Sequence, residues 1–261
     1  MVVRLGSFPA CWRQANVTPI SKGPPFFSVD NYQPISITSV WSKVFERLVS
    51  VRLGLLMELR GIRPTTQFAY RKGLPTCDAL LCMSHTLQSA LERMQEDRIV
   101  QIYFAAAFDR VNHQGILYKL CSVGIGSSVL SILTVSIKQI TAHMVDVCHC
   151  KPVNVISGVP QDSVLGPFLF LLYTLELFSI LENKLIGYAD DSTLMTVVPS
   201  PGATVTVAES LIRDLDRVSE SCDLWRMKLN ASKTKTMIVS RSSTMHPSHP
   251  INYWRNCTEG V

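Results

Sequence analysis

The sequence predicts an α+β fold, and three observations carry that prediction. Apolar residues recur at three- and four-residue steps from Val40 to Leu59, as one face of a helix requires. Two apolar arms flank Tyr188-Ala189-Asp190-Asp191 between Leu185 and Val198, the pattern of a β-hairpin. Helical and strand patterns then interleave irregularly along the chain, without repeats or low-complexity tracts.

Taken in order, residues 1–40 are rich in Pro, Gly and Ser with short apolar runs, which predicts loops and short strands. Val40, Val44, Leu48, Val51, Leu55 and Leu59 mark an amphipathic helix that Gly61 and Pro64 end. A second helix is expected over about Thr76 to Gln95, and a strand over Ile99 to Phe104. Residues 115–134 are helical in tendency around Gly124 and Gly126, and 136–156 mixes strand-like runs. Ser157 to Gln161 is a turn opening an apolar helix, the hairpin follows, and an amphipathic helix covers about Val205 to Met227. Thr236 to Val239 closes the pattern as a short strand.

The net charge of +5 and pI near 8.8 suit a polyanionic partner, but many proteins without one are equally basic. A mean hydropathy of +0.20 implies a large core or an interface whose other half is missing. The eight cysteines form no CxxC pair, and Cys148-His149-Cys150 lacks a second ligand pair at zinc spacing. Reduced thiols in an intracellular protein, nuclear or cytoplasmic, are expected. Met1 is followed by no secretory apolar core. Val164 to Leu181 is barely long enough to span a bilayer and contains Pro167 and Glu176, so a buried helix is expected and no membrane partner.

The sharpest chemical signal is Tyr188-Ala189-Asp190-Asp191. Two carboxylates about 4 Å apart repel by roughly 4 kcal/mol at an effective dielectric near 20, a penalty that bound Mg²⁺ removes. Two such ions also form the clamp used in phosphoryl transfer. A solvated turn is the plain alternative, since Asp favours turns.

Context changes the balance. Upstream stand Ser157-Gly-Val-Pro-Gln-Asp-Ser-Val-Leu-Gly-Pro167 and Ala105-Ala-Ala-Phe-Asp-Arg-Val-Asn-His113. Earlier come Trp12-Arg-Gln-Ala15, Ile20-Ser-Lys-Gly23, Asn31-Tyr-Gln-Pro-Ile-Ser36 and Gln67-Phe-Ala-Tyr-Arg-Lys-Gly73, and later Leu229-Asn-Ala-Ser-Lys-Thr234. In order and spacing, from about Trp12 to Ser240, these blocks resemble the reverse transcriptase domain of LINE-type (non-LTR, jockey-like) retrotransposons.

The resemblance implies a right-hand polymerase of fingers and palm with an antiparallel palm sheet, followed by a thumb. Fingers would occupy 1–98 and palm 99–240, with a segment of about 115–156 returning to the fingers; 241–261 would be a truncated start of the thumb connection. It implies RNA-directed DNA synthesis from a primer 3′ hydroxyl, with an RNA template, a DNA primer, dNTPs and two Mg²⁺ ions. Oligomeric state is left open. Asp190 matches the metal-ligating carboxylate, with Asp191 beside it. Phe108 matches the aromatic gate against a ribose 2′-OH, or is an ordinary core Phe. Gln161 and Ser163 match the turn that lies against the nascent base pair. Lys233 matches the lysine that protonates pyrophosphate, or is a surface lysine. Lys22 would meet the triphosphate, and Arg71 with Gln67 the template; both cations also fit a solvated surface.

The departures fall on the chemistry. Five residues before Phe108, where the family has its first metal-bridging Asp, stands Tyr103. A phenol is neutral at neutral pH and a poor Mg²⁺ ligand. Asp109 is six residues away and, if the strand continued, would face away from Phe108. Asp162 replaces the Gly of the Pro-Gln-Gly-Ser turn, Gln33 an Arg that would fork a phosphate, and Ala69 a Gly. Val135 to His143 and Asn252 to Gly260 both read closer to the family when back-translated and shifted by one base, which predicts frameshifts that the coding DNA would display.

Four readings follow: a polymerase relative with little or no activity, an active polymerase in which water or Asp109 substitutes at Tyr103, a non-catalytic RNA-binding remnant, and an unstable translated fossil with exposed apolar surface.

Overall fold

A computed structural model describes residues 9–28, 31–71, 73–138, 141–144, 153–159 and 163–241. Gln161, Asp162, Cys148-His149-Cys150 and the shifted tail at 252–260 lie outside the described residues. The chain divides into two compact units, one formed by residues 1–62 with 108–173, the other by 63–107 with 174–261.

The first unit holds a four-stranded sheet of β1 (Gln14–Ser21), β2 (Tyr32–Thr38), β4 (Thr141–Met144) and β5 (Val153–Asn154), in the order β2-β1-β4-β5. β1 and β2 form an antiparallel hairpin from Ala15↔Thr38 to Ser21↔Tyr32, and β1 runs parallel to β4. Its helices are α1 (Val40–Leu59), α3 (His113–Ser122), α4 (Ser127–Lys138) and α5 (Gly166–Thr174). Asn112 caps α3 by accepting the Gly115 N–H at 2.9 Å.

α1 has the expected bounds but turns the unexpected way. Val40, Val44, Leu48, Val51, Leu55 and Leu59 are exposed, while Ser42, Phe45, Glu46, Leu53 and Met57 face inward. Glu46 can be buried because it accepts the otherwise orphaned N–H groups of Val164 (2.8 Å) and Leu165 (3.2 Å) before α5, together with the Ser42 hydroxyl (3.1 Å). Burial nevertheless raises its pKa above the usual carboxylate value, against the lowering effect of those bonds and of Lys43.

The second unit is built on an antiparallel sheet in the order β6-β7-β3-β8: β3 (Glu96–Ile102), β6 (Lys184–Tyr188), β7 (Asp191–Val198) and β8 (Lys235–Val239). α2 (Thr76–Glu92), α6 (Leu177–Ile180) and α7 (Thr204–Leu224) belong with it. Ile99, Ile186 and Met195 form a core cluster with Phe68, Met83 and Leu87 packed against it. β3 begins three residues earlier than its apolar run, since a central strand paired on both sides carries Glu96, Asp97 and Arg98 inside. Arg98 donates to Glu96 at 2.8 Å.

The apolar stretch 164–181 is two helices rather than one. It breaks at Leu175–Glu176, where Glu176 accepts from Ser221 (2.9 Å) and from the Trp225 indole. Phe168 to Tyr173 are buried, and no helix among the described residues is long and apolar enough to cross a membrane.

Candidate active site

The site begins at the β6–β7 hairpin. Leu185, Ile186, Leu194 and Met195 are buried along its arms, which fixes the register, and the ladder closes on Tyr188↔Asp191. Only Ala189 and Asp190 remain to turn the chain, and Ala189 adopts a left-handed conformation (φ +58°) that costs an L residue about 1 kcal/mol. Residues 66–68 lie along the outer edge of β6: Gly187 donates to Thr66 O and Phe68 to Gly187 O, both at 2.9 Å. A Cβ on Gly187 would stand 2.6 Å from the Gln67 amide and 2.7 Å from the Phe178 ring, so a side chain there would have to displace both. Thr76 donates to the Tyr188 hydroxyl at 2.9 Å.

Burial and a neighbouring charge disfavour the ionised form of Asp191. Asp191 is raised above the usual carboxylate pKa, first by desolvation and then by Asp190. The phenol of Tyr70 is also raised, by burial and then by the charges of Asp190 and Tyr188. Tyr70, with φ +55°, therefore belongs to this site. Nothing in the sequence marks it, because a tyrosine between Ala69 and Arg71 carries no signal of its own.

Tyr103 arrives from the neighbouring strand. β3 pairs with β7 as far as Ile102↔Ser192, so the next position along β3 falls beside Asp191 at the hairpin tip. The 228–234 segment pins this end. Ala105 donates to Lys228 O and Asn230 to Tyr103 O, each at 2.7 Å, while the Tyr103 N–H meets the Thr234 hydroxyl at 3.3 Å. The same turn carries exposed Lys233, whose N–H is held by the Asn230 side chain at 3.1 Å. Asp190, Asp191, Tyr103 and the Lys233 turn thus gather at one end of one sheet.

The strand ends at Ile102 and residues 105–110 form a turn, so strand alternation does not govern Asp109, contrary to the expectation that it faces away from Phe108 on that ground. Gln67 is only 1% exposed and its carbonyl accepts the Ala69 N–H at 3.1 Å; it supports the hairpin from within and has no surface for a template. Arg71 donates to Thr65 O and Arg63 O, bonds internal to its own loop.

In the first unit, Lys22 and Gln33 are both exposed at the loop end of the β1–β2 hairpin. Ile20 pairs with Gln33 and Lys22 stands opposite Asn31, which puts Lys22 and Gln33 on one face of that hairpin. Phe108 stacks against Phe170 with centroids 4.9 Å apart. The Phe108 segment also holds the 157–159 turn: Val159 donates to Phe108 O (2.9 Å), Gly158 to Val111 O (2.8 Å), and His113 Nε2 lies 2.8 Å from Gly158 O. A Cβ on Gly158 would stand 2.8 Å from Asp109 O. Ser163 is buried, and its hydroxyl accepts the Gly166 N–H at 2.7 Å, capping α5.

A two-ion Mg²⁺ site needs oxygen anions to bridge both ions. The donors at this tip are Asp190 and Asp191, with a phenol at the third position, and no group of three or more His, Cys, Asp or Glu suited to a metal occurs among the described residues. The residues present do not fit a two-ion clamp.

The profile of the reverse transcriptase (RNA-dependent DNA polymerase) family matches residues 20–254. The chain belongs to the reverse transcriptase family. Its curated relatives include the probable RNA-directed DNA polymerases of transposon BS and of transposon X-element of Drosophila melanogaster, each 30% identical over 248 residues. These matches cover 89% and 90% of this chain but 26% of each relative. The RNA-directed DNA polymerase of the mobile element jockey from Drosophila funebris is 28% identical over 96% of this chain and 28% of its own length. This reverse transcriptase chain is thus of the non-LTR, jockey-like type and spans about a quarter of those relatives. Among solved structures, apo telomerase from Candida tropicalis truncated from its C-terminal domain aligns with a TM-score of 0.63 at 13% identity. That alignment covers 89% of this chain and 51% of the telomerase chain, a likeness of fold.

Proposed function

We propose that this chain is the fingers and palm of a LINE-type reverse transcriptase whose nucleotidyl transfer is lost or severely reduced because Tyr103 replaces a metal-bridging carboxylate. The supporting observation is the register that sets position 103 beside Asp191 at the tip bearing Asp190. With an Asp there, three carboxylates would converge, and the bound Mg²⁺ ions would supply Lewis-acid stabilisation of the phosphoryl group. The chain's own residues would do the rest. Lys233 would deliver a proton to the leaving pyrophosphate, Phe108 would crowd a ribose 2′-OH, and Gln161, Asp162 and Ser163 would form the turn against the incoming nucleotide. Lys22 and Gln33 would lie toward its triphosphate. RNA template, DNA primer and dNTPs are the partners this reading requires. Fingers at 1–98, palm at 99–240 and the start of a thumb connection at 241–261 remain its domain assignment.

Primer extension on an RNA template with Mg²⁺ and dNTPs tests this directly. The unmodified chain is expected to extend little or nothing, and Tyr103→Asp with Asp162→Gly to gain at least tenfold. Appreciable extension by the unmodified chain would sink the reading. An inert double variant that still binds template and primer would remove Tyr103 and Asp162 as the cause.

The exposed Lys22 hairpin and the net positive charge favour one second reading, a non-catalytic RNA-binding remnant. Its signature is RNA affinity that falls steeply with salt and is unchanged by Tyr103→Asp.

A further inference from the structure

α1 carries an apolar stripe unrelated to the catalytic reading. Trp41, Val44, Leu48, Val51 and Leu55 recur at steps of three and four, and Val40 and Leu59 extend the row. All are exposed, from 48% at Val44 to 77% at Leu59, while the inward face uses a separate set of side chains. Leu48 also borders a groove of about 560 Å³ lined by Phe45, Val49, Leu53, Ile125 and Val129, so the apolar surface continues into a recess.

The size of the surface is informative. Exposure of half to three-quarters on seven large side chains amounts to an apolar area on the order of 800 Å², what one partner contributes to a standard interface. The largest patch on a typical monomer is about 300–600 Å².

Charge selects the occupant. At 100° per residue, Lys43, Arg47 and Glu58 lie to the same side of Leu48, the two cations toward the N-terminal end and the carboxylate toward the C-terminal end. An antiparallel copy of α1, paired about the middle of the stripe, sets Val44 against Leu55 and Leu48 against Val51. It also lays each Glu58 along the Lys43–Arg47 end of the other copy. A parallel two-fold copy would turn this flank toward the opposite flank of its partner, so Glu58 would meet neither Lys43 nor Arg47. Arg52, toward the opposite flank, lines the groove. We propose that α1 is a self-association surface on which two copies of this chain pair antiparallel.

Sedimentation equilibrium and light scattering of the whole 261-residue chain test this. The expected result is a dimer of the 29.1 kDa chain, with Leu48→Glu plus Leu55→Glu converting it to a monomer of unchanged far-UV circular dichroism. Glu58→Lys should raise the dimer Kd at least tenfold, and adding Arg47→Glu should restore it. A monomer at every concentration overturns the proposal and hands the face to another part of a longer polypeptide. Polydisperse association with no discrete dimer for the glutamate pair to abolish overturns it as well, and a Glu58→Lys variant that dimerises normally excludes the antiparallel pairing.

Discussion

Asp97 lies at the middle of a sheet with neither carboxylate oxygen hydrogen-bonded and none of its surface exposed. Burial pushes its pKa up to about 6, against the opposing attraction of Lys184. An unfolded aspartate titrates near 4, so folding disfavours ionisation, and the linkage has a definite sign. Stability from this group is intact below about pH 4 and is lost as pH rises to about 6, a loss of up to about 3 kcal/mol. Asp97→Asn should flatten that slope and raise stability at pH 7.5. Urea unfolding of both proteins at pH 4.5 and 7.5 checks it, and an equally steep slope in the variant removes Asp97 as the cause. At this scale the sequence disclosed residues with a strong type signal: two adjacent aspartates at a turn, and a tyrosine at an expected acid. It did not disclose Tyr70, nor that Gln67 is inside, because both depend on the 66–70 segment lying against β6 across more than a hundred residues of chain.

Elements were legible by period and illegible by side. The three- and four-residue spacing of α1 set its bounds at Val40 and Leu59, but the spacing cannot say which face meets the core. Here the decision rests on polar contacts from Glu46 to residues 164 and 165, which no local pattern encodes. α7 depends on a comparable buried carboxylate. Asp214 is fully buried and accepts the N–H groups of Glu182 and Asn183 and the Asn183 amide, at 2.8–2.9 Å, with Arg217 at 3.1 Å. It thereby fastens α7 to the start of β6, the arm that leads to Asp190. Asp214→Ala leaves several buried donors without an acceptor and should cost about 3 kcal/mol by thermal or urea unfolding. Arg213→Ala, which removes only an exposed partner of Glu182, should change stability little. If the two substitutions cost the same, the buried carboxylate does not hold the helix.

Across the whole molecule, a positive mean hydropathy has a structural counterpart in each unit. In one it is the stripe on α1; in the other it is β8, an edge strand with Met237 and Ile238 exposed on opposite faces and, among the described residues, no strand beyond it in the sheet. An apolar edge offers unpaired backbone groups to any other extended chain, which is a route to aggregation distinct from helix pairing. The two routes respond differently to substitution. Met237→Lys with Ile238→Lys places charges along the edge and should suppress light scattering at high concentration. The circular dichroism should hold, since both side chains are already in solvent. The same pair should leave an α1-mediated dimer intact, whereas Leu48→Glu with Leu55→Glu should abolish the dimer without curing aggregation at the edge. Were the lysine pair to leave scattering unchanged while the α1 pair removed it, β8 would be a quiet edge and the hydropathy of this chain would be the mark of a single interface.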